Sequence, residues 1–279
     1  VTPVSAQDLQ IWSSYIKSIC GNNIDSNKAY LLENRLASLM LETKSVSWLD
    51  LYSKVKADTT GTLKRKVINA ITTNETSFFR DSSFFELLQY KILPDLLDAR
   101  QKQYQNREIP VRIWSAACST GQELYSTAIV VSEILEGKRQ FDVRLLGTDI
   151  SDKVVAKASY GKYNQLEIER GMTQKRLDTF FIKDGDFWKI RDEIRAMATF
   201  KTMNLLEPFY FPYKFDLILC RNVAIYFSED NKKKLYYRLA DVLARDGYLV
   251  IGSTESIGDL CPRFKPFRYI RSVCYQLES

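Results

Sequence analysis

The spacing of hydrophobic and polar positions changes period along the chain, and the changes divide it. Between residues 5 and 72 the apolar positions recur at helical intervals. Leu31, Leu32, Leu36, Leu39 and Met40, with Arg35 in the same row, mark one face of a helix that Asp25 or Ser26 is placed to cap. Ser47-Trp-Leu-Asp50 has the form of a capping box ahead of Leu51-Tyr-Ser-Lys-Val55. The segment reads as a small all-helical unit whose apolar stripes make its core, with no catalysis assigned to it. A further helix is expected to start after Asp81 and to run through Phe84-Phe-Glu-Leu-Leu88 to about Pro94. The polar stretch Arg100–Arg107 then reads as a loop.

Past this stretch strands and helices alternate. Val111-Arg-Ile-Trp-Ser115 is strand-like, 122–136 helical, Val143–Thr148 strand-like and Ser151–Ser159 helical, an order that implies a parallel sheet. The theme returns with a strand at Phe215–Cys220, a helix at Asp230–Leu243 and a strand at Gly247–Gly252. Phe267–Leu277 follows as a closing strand or hairpin. Residues 161–200 interrupt the alternation, and Lys183-Asp-Gly-Asp-Phe-Trp-Lys-Ile190 reads as a turn between strand-like arms. The expected organisation is a helical domain over 1–72 and an α/β domain over 73–279, with a small β-rich subdomain inserted at about 161–200.

Composition narrows the classes of function. With 279 residues, 45% hydrophobic and 27% charged, the chain has the make-up of a soluble globular protein of two units. Its apolar runs, such as Ala128–Val131, are too short to span a bilayer. The N-terminus lacks both the basic leader and the apolar core of a secretory signal, so a cytoplasmic location is expected, with no membrane insertion. The net charge of +6 is spread thinly, with short clusters only at Lys64-Arg-Lys66 and Lys232-Lys-Lys234. Such clusters are more often solvated helix faces than phosphate grips, which disfavours a nucleic-acid partner and suits an acidic protein equally well. The five cysteines are odd in number and include no C-x-x-C pair, so they read as free thiols rather than a disulfide framework or a zinc site. The chain has no histidine, which removes the usual general base and the commonest transition-metal ligand.

An open parallel sheet binds ligands beyond the carboxyl ends of its strands, so chemistry is sought there. After the first strand comes Ser115-Ala-Ala-Cys-Ser-Thr-Gly121, a small-residue turn that admits close ligand approach but is equally a tight turn with no ligand. It has Ala117, Ser119 and Gly121 at alternate positions in place of a dinucleotide glycine motif. The second strand ends in Asp149, placed either to accept hydrogen bonds from ribose hydroxyls or to cap the next helix. A later strand ends in Cys220-Arg-Asn-Val-Ala-Ile-Tyr-Phe227, whose Arg221 and Asn222 need partners if buried. Three polar strand ends on one sheet edge favour a ligand.

In this order the chain resembles the CheR-type chemoreceptor glutamate methyltransferases. The resemblance is carried by Thr73-Asn-Glu-Thr-Ser-Phe-Phe-Arg80, Ile113–Ser126, Thr148-Asp-Ile-Ser151, Asn204-Leu205, Phe215–Phe227 and Gly252-Ser-Thr-Glu-Ser256, and it covers about residues 10–277. It implies a class I, Rossmann-like methyltransferase domain behind a helical N-terminal domain. The implied cofactor is S-adenosylmethionine, with S-adenosylhomocysteine as product and no metal. The implied partner is the cytoplasmic helical region of chemoreceptors, on which glutamate methyl esters would form in chemotactic adaptation. It further implies that Asn74, Thr76, Arg80, Glu123, Asp149, Asn204, Leu205, Asn222 and Val223 surround the cofactor, and that Arg80 and Tyr226 face the methyl-transfer region. A glutamate acceptor is already ionised at neutral pH, so an enzyme without histidine needs no general base.

Departures from the family pattern are Ala117, Gln122 and Leu124 in the first turn, Ala224 before Ile-Tyr-Phe, and Asp246 where glycine is usual. The basic face around Arg35 is also thinned. The thinned face leaves room for a methyltransferase acting on a different protein partner. A separate alternative is a regulatory or scaffold protein of the same fold that binds the cofactor without turnover, against which the retained Glu123, Asp149, Asn222, Arg80 and Tyr226 speak.

Overall fold

Helices α1 (Ala6–Cys20), α2 (Ala29–Glu42), α3 (Trp48–Ala57) and α4 (Thr62–Ile71) open the chain. The structure, a computed structural model, describes residues 3–25, 27–104, 108–136, 138 and 140–278. Ser5 and Asp8 cap α1 reciprocally, and Gly21 ends it in the left-handed region at φ +78°. Trp12 and Trp48 are buried in the middle of this layer, with the Trp12 indole N–H donating to the Trp48 carbonyl at 3.2 Å. Each such apolar side chain contributes about 1.5–3 kcal/mol on burial.

Two of the expected caps differ from what forms. The cap position of α2 belongs to Lys28, which makes no side-chain cap bond. Asp25 does not cap the helix; it takes the Lys28 amine on its carboxylate (2.8 Å) and the Lys28 N–H on its carbonyl (2.9 Å). Ser26 lies outside the described residues. Ser47 caps α3 through the Asp50 N–H, but the Asp50 carboxylate reaches back to the Val46 N–H at 3.0 Å.

The helix after Asp81 runs further than its sequence suggests. It begins as α5 (Ser82–Leu87), widens to a π-turn at Leu88–Ile92 and continues as α6 (Leu93–Gln103). Pro94 has no N–H and crowds the carbonyl one turn back, so the helix widens there instead of stopping. Arg100–Gln103, expected in a loop, is the last turn of α6. Arg100 is buried, with its Nε donating to Asp216 at 2.7 Å and its two terminal nitrogens donating to Asp246, each at 2.7 Å. Residues 105–107 of that stretch lie outside the described residues.

The sheet is built from β1 (Ile109–Ala116), β2 (Phe141–Asp149), β6 (Ala198–Thr202), β7 (Phe215–Cys220), β8 (Leu243–Ile251), β9 (Phe264–Tyr269) and β10 (Ser272–Leu277). Helices α7 (Gln122–Ile134), α8 (Asp152–Tyr160) and α12 (Glu229–Val242) connect its strands. The strand order is β6-β2-β1-β7-β8-β10-β9; the first five are parallel and the last two form an antiparallel hairpin. Alternation along β1 sends Val111 and Ile113 to one face and Trp114 and Ala116 to the other, each face with its own core.

Between β2 and β7 lies a separate antiparallel sheet of β3 (Lys162–Asn164), β4 (Phe181–Asp184) and β5 (Phe187–Ile190), with short helices α9 (Gln165–Glu169), α10 (Gln174–Phe180) and α11 (Asp192–Arg195). The turn expected at 183–190 is the hairpin between β4 and β5. β6 corrects the expected extent of the interruption, because its residues 198–200 were assigned to the insert yet pair in parallel with β2 in the main sheet. Among the described residues no helix is long and apolar enough to cross a membrane.

Candidate active site

The register brings the strand ends level. Ser115 lies opposite Gly147 and Leu219, Asp149 opposite Thr202, and Cys220 opposite Ile251. The chain leaves β1 to one side for β2 and returns on the other as β7, so the edge above β1 is a topological switch point of the kind where open sheets bind ligands. A cleft of about 950 Å³ opens there. All ten of Asn74, Thr76, Arg80, Glu123, Asp149, Asn204, Leu205, Asn222, Val223 and Tyr226 line it.

Each wall follows from local chain chemistry. In the turn after β1, Ala117, Ser119 and Gly121 all adopt positive φ, at +67°, +50° and +90°. The alternate small positions are thus the three that turn the backbone back toward the sheet, and a non-glycine residue there costs about 1–2 kcal/mol. Gly121 has no alternative: a Cβ on it would stand 2.9 Å from that of Ala158. Of the departures, Gln122 is buried and accepts the Thr120 hydroxyl at 2.7 Å, while Leu124 is wholly buried in the core.

Asp149 is not the cap of α8; Ser151 is. The Asp149 carboxylate accepts the Ser119 N–H on one oxygen (2.9 Å) and the Ser151 N–H on the other (3.0 Å), which leaves further lone pairs toward the cleft. Burial holds its carboxyl above the usual carboxylate range, against the opposing pull of the Ser151, Ser119 and Ile150 N–H groups.

The segment 73–81 crosses the cleft as irregular chain. Phe78 anchors it, buried edge-on against Tyr163 (4.9 Å) and Phe181 (5.5 Å) of the small sheet. The Ser119 hydroxyl donates to the Asn74 carbonyl at 2.9 Å. Phe79 and Asp81, on either side of Arg80, both adopt positive φ, and the Arg80 guanidinium returns to the Glu75 carbonyl at 3.1 Å. With Asn222 at φ +57°, five of the seven positive-φ non-glycine residues among the described residues belong to the three segments that wall the cleft. Backbone held this way marks a site where positioning outweighs local stability.

Arg221, noted in the sequence as a buried polar group in need of partners, has them. Its guanidinium donates to Glu123 at 2.8 Å, contacts the Asp81 carboxylate, reaches the Arg80 carbonyl at 3.4 Å and stacks over Phe84 at 4.3 Å. Glu123 also accepts the Ser115 hydroxyl at 2.8 Å. One buried cation thus ties the end of β7 to the start of α7 and to segment 73–81. Asn222 donates its N–H to Glu255 at 2.7 Å, and Gly252 donates to the same oxygen at 2.7 Å.

Sequence reasoning did not anticipate the contribution of the helical layer. Cys20, Asn22 and Thr72 line the cleft, and the Asn204 amide donates to the Ile19 carbonyl at 3.1 Å, so Asn204 clamps the end of α1 over the site. Gly21 fits against the Phe227 ring, where a Cβ would come within 2.8 Å. Arg35, the remnant of the thinned basic face, is turned inward to the Ile71 (2.5 Å) and Thr72 (3.0 Å) carbonyls. No periodicity signals these roles, because they depend on how α1 and α2 dock. All five thiols are unpaired and buried, and burial raises Cys20 to about 11.

The lining offers the carboxylates of Glu75, Glu123 and Asp149, the guanidinium groups of Arg80 and Arg221, and an apolar wall of Ile150, Leu205, Val223 and Phe227. That donor set fits a ligand with a cationic amine, a carboxylate, vicinal hydroxyls and a flat ring, which is the chemistry of S-adenosylmethionine.

Comparison with known proteins agrees. A family model described as CheR methyltransferase, SAM binding domain, matches residues 74–270, and a second, CheR methyltransferase, all-alpha domain, matches residues 7–72. The chain is 36% identical over 278 residues to a chemotaxis protein methyltransferase of Vibrio anguillarum, covering 99% of this chain and 98% of that one. It is 33% identical over 273 residues to chemotaxis protein methyltransferase Cher2 of Pseudomonas putida, covering 96% and 97%. Against a chemotaxis protein methyltransferase of Borreliella burgdorferi it is 37% identical over 240 residues, covering 85% and 83%. The chain therefore belongs to the CheR methyltransferase family and carries both its S-adenosylmethionine-binding domain and its all-helical domain.

Proposed function

We propose that this methyltransferase esterifies glutamate side chains on the cytoplasmic helical region of chemoreceptors. The observation that carries the reading is the convergence, around one cleft, of the ten side chains that the family resemblance selects from five separate stretches of chain. The names of the relatives, chemotaxis protein methyltransferases, support the same acceptor class.

The cofactor supplies an electrophilic methyl group on a sulfonium. In the transfer an acceptor carboxylate oxygen gains the bond to carbon, and the sulfur keeps the electron pair of the bond that breaks. Asp149 would hold the ribose hydroxyls with the lone pairs its backbone donors leave free. Glu123, with Asn74 and Thr76 beside it, would hold the methionine end. Its charge is already shared with Arg221 and Ser115, which fixes its position in advance. Leu205, Val223 and Asn222 would enclose the adenine side, with Asn204 setting the edge of that wall. Arg80 would orient a carboxylate and Tyr226 would donate a hydrogen bond near the transferred methyl. Catalysis of this kind consists of desolvating and aligning two reactants, and alignment accounts for most of the gain.

The test is transfer of labelled methyl from S-adenosylmethionine to a cytoplasmic chemoreceptor fragment, with release of the label by alkali as expected of an ester. Binding of S-adenosylhomocysteine without transfer would instead make the chain a cofactor-binding regulatory or scaffold protein. Arg80→Ala is expected to reduce turnover or cofactor affinity by about 10–100-fold, the range of a lost charged hydrogen bond. Unchanged affinity together with unchanged turnover would remove Arg80 from the mechanism.

A further inference from the structure

On the far side of Arg221 a second cleft, of about 1350 Å³, opens above β7, β8 and the β9–β10 hairpin. It lies at the same edge of the sheet as the cofactor cleft, and Arg221 lines both. Its lining is mixed: Phe264, Val273 and Tyr275 give it an apolar strip, Asp81 and Glu255 lie toward Arg221, and the hairpin contributes Arg268 and Arg271.

These two arginines differ from most others in the molecule. Both are exposed, and among the described residues neither side chain has an ion-pair or hydrogen-bond partner. By contrast, Arg100, Arg112, Arg170, Arg176 and Arg263 are all paired with carboxylates. Arg271 sits in the two-residue turn of the hairpin beside Ile270, which is 70% exposed and holds φ +50°. A β-branched residue in that region is a genuine outlier, and here it presents a cation over a cleft. Two residues that line the cleft each hold a buried polar atom without a partner among the described residues, Nε of Arg221 and Oε1 of Glu255. A native protein leaves few such groups unmet.

We propose that this second cleft seats the acceptor, and that Arg268 and Arg271 select it by pairing with carboxylates that flank the glutamate being methylated. The inference rests on the reading that the acceptor is a protein glutamate, and it adds where the flanking chain lies and what charge it carries. Two cations without partners on the hairpin match an acidic amphipathic segment, whose carboxylates meet them while its apolar side meets Phe264 and Val273. Such pairing at a rim governs encounter and choice of partner more than tightness, and it is screened by salt. Because Arg221 lines both clefts, the flanking chain would lie beside the cofactor cleft.

The experiment compares the wild-type chain with the Arg268→Glu/Arg271→Glu double variant and with Arg268→Gln/Arg271→Gln, which removes charge without reversing it. Each is assayed on a cytoplasmic chemoreceptor fragment and on the same fragment with the carboxylates flanking the methylated glutamate changed to glutamine. Charge reversal is expected to raise KM for the acidic fragment at least tenfold, with S-adenosylhomocysteine affinity by calorimetry within twofold of wild type. Neutralising the flanks is expected to raise KM about tenfold for wild type and less than twofold for either variant. Equal losses on both fragments, or no loss in the variants, would overturn the inference while leaving glutamate methylation standing. Failure of the wild-type chain to place alkali-labile methyl on either fragment would overturn both.

Discussion

Strand β7 carries a buried arginine against each of its ends, and the two differ in one respect. At its start, Arg100 is gripped by Asp216 and Asp246; at its close, Arg221 is gripped by Glu123 and Asp81. Every nitrogen of Arg100 has a partner, including Gln103 at 3.2 Å, and the residues that hold it lie in α6, β7 and β8. Arg221 leaves Nε unpaired, and the segments it joins hold residues with left-handed backbone. A completed network of charges rigidifies a fold, whereas an incomplete one beside a cleft retains capacity for a ligand. The two ends of one strand thus place the same chemistry in two settings, a completed network within the fold and an incomplete one that lines both clefts.

The comparison is broken most sharply at Arg100. Arg100→Ala strands the buried Asp216 carboxylate and is expected to lower stability by about 3–5 kcal/mol, the range for removing one partner of a buried ion pair. Denaturant unfolding measures this, and cofactor affinity of the folded protein should change by less than twofold. If affinity fell as far as stability, the division of labour between the ends of β7 would be wrong.

Arg221→Gln is expected to cost less stability, about 2–3 kcal/mol, because Glu123 keeps the Ser115 hydroxyl and Asp81 is partly exposed to water. Here cofactor affinity should fall as well, at least tenfold by calorimetry. Loss of stability alone would make Arg221 a second Arg100.

Acid separates the ends in a further way. The Arg100 guanidinium holds Asp246 below the usual carboxylate range of 3.8, so the stability from that pair is present above about pH 4 and lost as pH falls through the lower folded value. Asp216 in the same triad is shifted upward by burial, against the pull of the Arg112 N–H and of Arg100. Asp149, also raised by burial, takes its proton at a higher pH than an ordinary aspartate. Its ionised form costs stability above its folded value, and the cost is relieved as pH falls through that value. Cofactor affinity should therefore fall on acidification at a higher pH than the stability contribution of Asp246 does. Titrations of both quantities on one pH series check the order, and the reverse order would contradict it.

The smallest effect is expected at Ala117→Gly. Relief of a strained φ of +67° is offset in part by the extra freedom of glycine when unfolded, leaving a gain of about 0.5–1 kcal/mol in a thermal melt. A loss would show that the Ala117 methyl packs usefully in the turn.

The sequence was legible wherever short-range periodicity decides structure. β1, α7, β2, α8, β7, α12 and β8 lie within a few residues of where their patterns put them, and the three strand ends meet at one edge as the alternation requires. It failed where a residue's burial is set by a distant partner. Arg100-Gln-Lys-Gln103 has the composition of a solvated loop, and only Asp216 and Asp246, far along the chain, make it a helix end. β6 was hidden behind the small sheet, although Ala198-Thr-Phe-Lys-Thr202 alternates as an edge strand does. Cys20 and Asn22 reach the cleft through the docking of α1, which no local pattern encodes.

By itself the sequence determined the elements, the parallel order of the sheet and the identity of the polar groups at its strand ends, because these follow from side-chain periods and backbone chemistry over a few residues. Tertiary structure alone decided which of those groups are free to act. Asp149 keeps lone pairs for a ligand, Arg221 is bound on most sides, Asn204 is spent on Ile19, and Arg268 and Arg271 stand unpaired. Whether a polar group is satisfied depends on what lies within about 3 Å of it, and in a folded chain those neighbours come from anywhere along its length.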